Sequence, residues 1–523
     1  MPQGAYLQAY RNMPTQGLGL LEKDTESLDD RVEQPTRLAC ARAGFLHAVK
    51  YASLFFRPSF LSRKCEKKNS KLRRTAYLDG LRGFAAFLVY WHHHALWAHE
   101  AHDSDKILQN GWGYERQYHL ATFPGIRMFV NGGHFAVATF FILSGYVLSC
   151  KPLALINLGD YTGLGDNIAS ALFRRWLRLY LPIIATTFII LSVWHLFGIW
   201  ANFVPEPNYL AGIWKWYIDM KNFTFFLRTG GEPWLIYNPH TWSIPVEFKG
   251  SIVIYTALMA FSRCSRKMRL WCEVGLIYYF MYIADGAHFA MFMTGMLLCD
   301  IDMIAAKDEL PHWTSAIQRW KVPICYVLFV AGVLLGGVPS YSAEIDVLRE
   351  TPGWYHLSFM VPQAVFDYKW FFLFWAAIFV IVASARISWL RRFFETRFCL
   401  YLGRISYMLY LVHGPILWTL GDRLYAAVGW TREQHAMVIP RWVNRFPVPK
   451  IGPYALELNF FVPHLILLPF TFLVAEIATT VIDGPSVKFT AWLYKQVLPL
   501  PKEEELSTET IQATWKLNGG QSG

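Results

Sequence analysis

The stretch from Tyr77 to His94 is an apolar, helix-forming run that nonetheless carries Asp79, Arg82 and three consecutive histidines. A run this apolar reads as a helix that enters a membrane. Ionisable groups inside such a segment are costly and rare, so they mark function by default. At 100° per residue, Arg82 and His93 are eleven positions apart and differ by only about 20° around the helix. Asp79 lies about one turn before Arg82, on nearly the same line. His92 and His94 point roughly 80° and 120° away from Arg82. One stripe therefore presents a carboxylate, a guanidinium and, about 16 Å further along, an imidazole. Taken singly, Arg82 snorkelling to headgroups and histidines at the far interface would account for these groups. The shared stripe favours one site.

The rest of the chain agrees with a membrane setting. Of its 523 residues 54% are hydrophobic and only 17% are charged, which indicates a polytopic membrane protein rather than a set of soluble modules. The net charge of +11 raises nucleic acid as a partner, but the basic residues lie in short clusters between apolar runs. That is the positive-inside pattern, and no nucleic-acid stripe is present. The eight cysteines show no CxxC or metal spacing, so neither disulfides nor a zinc site are expected. Three adjacent histidines on one helix diverge in direction and make a poor metal site, and no His-Glu-x-x-His helix occurs. The expectation is no metal. A Gly-x-Ser-x-Gly elbow is also absent, which removes a serine-hydrolase triad.

Ten spans are expected, near 76–98, 133–151, 177–199, 241–262, 268–284, 286–303, 322–339, 370–387, 400–421 and 457–482, giving an all-α membrane helix bundle. The fifth and sixth are close enough in sequence to form a re-entrant hairpin. Residues 1–74 read as a polar, disordered N-terminal region containing a stretch, 41–61, suited to the membrane surface. Residues 75–490 form the membrane domain and 491–523 a polar tail. The first span is expected to serve as its own insertion signal. The Lys/Arg cluster from Arg63 to Arg74 places that flank in the cytosol, and an even span number returns the C-terminus there. Residues 422–456 break the charge pattern with Arg423, Arg432, Arg441, Arg445 and Lys450 on the opposite side.

Four further motifs carry candidate chemistry. Phe140, Phe141, Ser144, Gly145 and Tyr146 lie in the second span, where small residues suit close helix packing. Arg175 and Arg178 share a helical side at the entrance to the third span, and two guanidinium forks there suit phosphates. Glu247, in a segment opening with His240, Trp242 and Ser243, is a carboxylate inside an apolar run and needs a partner. Lys249, Arg82 or the imidazole are the candidates. Ser406 to Pro415 holds His413, a weaker candidate because a histidine beside Gly-Pro suits a helix end.

With these motifs the chain resembles the membrane acyltransferase-3 family, whose members move acyl groups from acyl-CoA to hydroxyls. Leu78, Asp79, Gly80, Leu81, Arg82 and His93 match its first-helix signature. Phe140, Phe141, Ser144 and Gly145, the Arg175/Arg178 pair with Pro182, the Trp242/Ser243/Glu247 element and the His413 block follow in the family's order over roughly 75–490. Tyr146 replaces the commoner Phe, and Pro245 departs from the usual Ser or Ala. Glu476 and Asp483 close the last span in a similar way. The resemblance implies an integral-membrane O-acyltransferase with acyl-CoA, expected to be acetyl-CoA, as co-substrate. His93 would be the general base, with Asp79 or Glu247 fixing its tautomer. Arg82, Arg175 and Arg178 would bind the CoA phosphates. Direct transfer and an acyl-histidine intermediate both remain open.

The acceptor is read from the loops. The longest non-cytosolic ones, about 30–40 residues, are too short for an independent core. They are aromatic, with Trp112, Tyr114, Tyr118, Trp200, Trp214, Trp216, Tyr217, Trp234, Trp354 and Tyr355. Such residues anchor the interfacial belt, or form a lid over a lipophilic hydroxyl compound, which is favoured over a carbohydrate. The chief rival function, a transporter with an intramembrane Asp/Arg/His proton relay, predicts two symmetric halves, and none are evident.

The topology generates a prediction. Asn222, in the sequon Asn222-Phe223-Thr224, should accept glycan, and both termini should be digested by protease added to sealed cytosol-side-out vesicles. Protection of either tail overturns the ten-span arrangement.

Overall fold

The computed structural model of the protein describes residues 72–101, 105–201, 203–227, 234–307 and 318–499. The expectations for 1–71 and 500–523, including the surface-lying stretch and the polar tail, lie outside the described residues. Helices longer than ten residues are labelled α1 (Ala76–Glu100), α2 (Gly133–Leu158), α3 (Tyr161–Phe197), α4 (Tyr209–Thr224), α5 (Ser243–Phe261) and α6 (Arg266–Tyr278). They continue as α7 (Ala287–Ala305), α8 (Lys321–Leu335), α9 (Tyr368–Arg386), α10 (Arg397–Ile416), α11 (Leu458–Ala478) and α12 (Gly484–Val497). No strand occurs among the described residues, so the fold is all-α.

Among the described residues seven stretches are long and apolar enough to cross a membrane: α2, α3, α5 with its leading turn, α7, α8 with its leading turn, α9, and the α11–α12 run. The expected spans at 76–98, 268–284 and 400–421 are helical but fall short by that measure, so ten spans are not established. The reasons are physical. Both α1 and α10 carry arginine and histidine, which lower their mean hydropathy. In α6, Arg266, Lys267, Arg269 and Glu273 crowd into a helix about 20 Å long, against a hydrocarbon core of about 30 Å. Only Ala284 to Gly286 separate the π turn that prolongs α6, Tyr279–Ile283, from α7.

Among the described residues α1 and α10 share one of the two most extensive helix contacts, and glycine makes it. A Cβ on Gly83 would fall on the backbone of Leu402 and Gly403, and one on Gly403 would fall on the Asp79 carbonyl. A Cβ on Gly80 would strike the carbonyl of Phe394. Without a hydrophobic driving force between helices in lipid, such small-residue contacts let dispersion and hydrogen bonds hold the pair. Arg82 meets Gly403 and His93 meets His413, so α1 and α10 run in the same direction. A second close crossing joins α2 to α7, where a Cβ on Gly145 or Gly295 would overlap the opposing backbone. Gly145 thus serves helix packing. Tyr146, in place of Phe, adds a tether: its hydroxyl donates to Asp302 Oδ2 at 3.1 Å. The six described cysteines are free thiols.

Three of the five basic residues in 422–456 are used internally. Arg423 donates to the carbonyls of Trp200 and Thr419. Arg432 pairs with Glu100 and Asp422 and lies 3.8 Å over the Trp97 ring. Lys450 sits 4.9 Å over Trp430. Arg432 thereby holds the loop to the end of α1, and cations with internal partners are poor reporters of membrane side.

The close crossings are testable. Gly83→Ala should destabilise the detergent-solubilised protein by about 1–3 kcal/mol through overpacking. Gly165→Ala, on α3 with nothing within 4 Å of its new Cβ, should be neutral or stabilising by up to about 1 kcal/mol. Equal melting temperatures for the two variants would mean that the α1–α10 contact is looser than described.

Candidate active site

α1 directs its three histidines differently, as 100° spacing requires. The His92 ring packs on Gly133 and His134 of α2. His94 Nδ1 lies 2.8 Å from the Tyr425 hydroxyl. His93 faces α10, where its Nδ1 is 2.9 Å from the Val89 carbonyl and 3.1 Å from His413 Nε2. A third imidazole, His240, lies flat on His93 with ring centres 3.7 Å apart and planes 25° from parallel.

The local sequence explains how three distant segments meet. Pro415 has no N–H for the Leu411 carbonyl one turn back. Asn238 Nδ2 donates to that carbonyl instead, at 2.8 Å, docking the turn Pro239–Trp242 onto α10. That turn presents His240. The Tyr410 hydroxyl donates to the His240 carbonyl, and Ser243 Oγ is 2.7 Å from the same hydroxyl. Gly414 is required here, since a Cβ would stand 2.8 Å from His240 Nδ1. Pro245 falls in the first turn of α5, where backbone N–H groups lack helical partners anyway. His413 is not at a helix end: α10 runs through Pro415 into a π turn, Leu417–Gly421.

Below this cluster a cavity extends between α1, α2, α3, α5 and α10. Its lining includes Phe140, Phe141, Val147, Leu179, Ile244 and Tyr407 as apolar walls, with Ser243 and Tyr410 under the histidines. Three arginines (Arg82, Arg175, Arg178) and three carboxylates (Asp79, Glu247, Asp483) line it as well. Glu247 pairs with Arg175 of α3. Ser144 Oγ donates to the same carboxylate, and Arg175 Nε donates to Ser251 Oγ at 2.8 Å. Arg82 donates to Asp79 Oδ1 and to the Gly403 carbonyl, both at 3.1 Å. Arg73 takes the other Asp79 oxygen at 2.9 Å. Glu476 is engaged by Arg404 at 2.7 Å.

The structure therefore brings Asp79, Arg82, Arg175, Arg178 and Glu247 to one cavity and places His93 above it. The carboxylates bind arginines, and fourteen residues of helix, about 21 Å, separate Asp79 from His93. Contacts to His93 Nδ1 come from Val89 and His413. The role of His240 was missed from sequence. It sits on a 3₁₀ turn outside any helical stripe, and its one signal was an ionisable side chain at the mouth of an apolar span. The ten loop aromatics do not line the cavity; Tyr118, Trp214, Tyr217, Trp234 and Tyr355 are surface-exposed.

His93, His240 and His413 also form a group of ligand-type side chains whose nitrogens lie within 4.8 Å of one another. Spacing along the chain could not reveal it. A tetrahedral zinc with bonds of 2.0–2.1 Å needs nitrogens about 3.3 Å apart on converging rings. His240 stacks at 25° to the His93 ring and 9° to the His413 ring, and lone pairs lying in near-parallel ring planes do not converge on one ion.

Comparison with known proteins shows the family. A family model described as an acyltransferase domain matches residues 75–479, and the chain belongs to that family, acyltransferase-3. It is an acyltransferase, an enzyme that transfers acyl groups, and its apolar helices are those of an integral membrane protein. It is 29% identical to O-acetyltransferase PaAT-1 of Phomopsis amygdali, over 84% of this chain and 88% of that protein. It is 22% identical to acyltransferase clz18 of Cochliobolus lunatus, over 80% and 96% of the two chains. With acyltransferase MdmB of Streptomyces mycarofaciens it shares 23% identity over 69% and 83%. No solved structure matches the chain significantly.

The buried pair gives a prediction. Glu247→Ala should cost about 3–5 kcal/mol in thermal unfolding, because it strands the Arg175 charge. The double variant Arg175→Met/Glu247→Leu should cost less than Glu247→Ala alone. Simple additivity of separate Arg175→Met and Glu247→Leu effects would show that the two side chains are not coupled.

Proposed function

We propose that the protein is an O-acyltransferase that moves an acyl group, acetyl in the first instance, from acyl-CoA to a hydroxyl of a lipophilic small molecule. One observation carries this reading: a single cavity runs from three arginines to Ser243 and Tyr410, and the Tyr410 hydroxyl bonds the backbone carbonyl of His240, whose ring stacks on His93. Arg82, Arg175 and Arg178 supply guanidinium forks for the CoA phosphates. Because Arg82 and Arg175 are paired in the free chain, a polyphosphate takes over contacts now made to Asp79 and Glu247. The pantetheine arm and its acyl group then follow the apolar walls toward Ser243 and Tyr410.

At the histidine end, His93 Nε2 removes the proton of the acceptor hydroxyl while its oxygen attacks the thioester carbonyl. The tetrahedral species collapses with cleavage of the carbon–sulfur bond. The CoA thiolate recovers the proton from His93 Nε2, leaving an ester, free CoA and neutral histidine. The lipophilic acceptor is supported by the apolar cavity walls, since the loop aromatics do not form its lid. Acetyl transfer to oxygen is supported by the printed name of the Phomopsis relative.

Membranes containing the protein should transfer label from acetyl-CoA into an organic-extractable product when supplied with a lipophilic alcohol pool. His93→Ala should lower turnover at least about 100-fold while CoA still raises the melting temperature. His92→Ala and His94→Ala should retain substantial activity per folded molecule, and Arg82→Ala should lose the CoA-induced stabilisation. Label confined to a water-soluble or polymeric carbohydrate fraction overturns the acceptor class. An indispensable His92 or His94 with a dispensable His93 overturns the base.

A further inference from the structure

We infer that His413 is a positioning residue that, together with the Val89 carbonyl, holds the tautomer of His93, an inference that rests on His93 being the base. Counting protons leads to it. His413 Nδ1 lies 3.2 Å from the Leu409 carbonyl, which can only accept, so Nδ1 carries the hydrogen. A neutral imidazole has one N–H, and His413 Nε2 is therefore an acceptor. It lies 3.1 Å from His93 Nδ1, which also faces the Val89 carbonyl at 2.9 Å. Both neighbours of His93 Nδ1 demand a proton there. His93 Nε2 is left as the lone-pair nitrogen, the form a general base requires.

The environment keeps this assignment in place. His413 is fully buried, on a helix whose next residue, Gly414, is pressed against His240. His240 covers one face of the His93 ring and stacks nearly parallel to His413, at 9° between planes. Among the described residues no carboxylate is hydrogen-bonded to any of the three rings, so imidazole and backbone carbonyls do the orienting that a carboxylate does in a Ser-His-Asp triad. When His93 Nε2 takes the acceptor's proton, the charge is shared along the Nδ1–H to His413 Nε2. When the thiolate reclaims that proton, both rings return to their starting tautomers, so nothing is consumed.

The test compares His413→Leu, His413→Gln and His413→Asn in the full-length protein, with His93→Ala alongside. Steady-state transfer from labelled acetyl-CoA is normalised to folded protein by size-exclusion chromatography. His413→Leu should lower kcat by about 100-fold with the KM for acetyl-CoA changed less than about twofold. A glutamine Oε1 lies near the position of Nε2 and accepts from His93 Nδ1–H, so His413→Gln should return kcat to within about tenfold of wild type. Asparagine is too short and should stay near the leucine value. Equal kcat for Gln and Asn overturns the inference even if the leucine variant fails to fold. Wild-type turnover in His413→Leu with an inactive His93→Ala overturns it while leaving the base intact. An active His93→Ala overturns both.

Discussion

Everything at the candidate site depends on how closely α1 approaches α10. With Gly83 and Gly403 back to back, the Arg82 guanidinium reaches the Gly403 carbonyl, and ten residues further along both helices His93 reaches His413. Side chains at these glycines would move the helices apart and break both contacts together. The crossing thus couples the cation end and the imidazole end of one helix to a single partner. In lipid, where apolar burial gives helices little reason to associate, polar contacts of this kind also supply specificity.

The second constraint is charge. The cavity holds as many arginines as carboxylates, and Arg175–Glu247 is satisfied further by Ser144 and Ser251. A buried pair of this sort is weak evidence for net stability, but losing one member leaves an uncompensated charge in a low-dielectric setting. Its value lies in geometry: it ties α3 to α5 and α2 at the cavity wall, and it keeps the Arg175 cation in an apolar protein with its charge compensated. A polyphosphate that displaces Asp79 or Glu247 exchanges one set of charge-assisted hydrogen bonds for another, which limits the net desolvation.

Much of this was legible in the sequence, and the limits have physical causes. The Arg82/His93 stripe needed only helical periodicity, and the divergence of His92 and His94 followed from the same 100°. That Arg82, Arg175, Arg178, Asp79 and Glu247 share a cavity was accessible through the order of motifs, but their pairing was not. Glu247 chose Arg175, an arginine on another helix, because interhelical packing decides such contacts and sequence separation does not. His240 was invisible to periodicity because its 3₁₀ turn is positioned by Asn238 bonding to a carbonyl freed by Pro415, an interaction spanning 173 residues. Ten spans are not established at α1 and α10 for the converse reason: the residues that build the site lower the hydropathy by which a span is recognised.

Among the described residues, the histidine end contrasts with the arginine end in having no hydrogen-bonded carboxylate on its rings. On the reading of His93 as base, this suits the reaction. A carboxylate beside the imidazole would stabilise the imidazolium strongly in a low-dielectric site and make it a reluctant donor to the departing thiolate. Orientation by carbonyl oxygens and neutral imidazoles stabilises the cation less, through dipoles fixed before the reaction starts. A base must take the alcohol's proton and then release it to sulfur within one turnover, so moderate stabilisation serves both halves. The separation of the two ends follows from the same logic. Arginines at the His93 ring would repel the imidazolium, and about 16 Å of helix between Arg82 and His93 keeps that repulsion small while leaving room for the donor's uncharged arm.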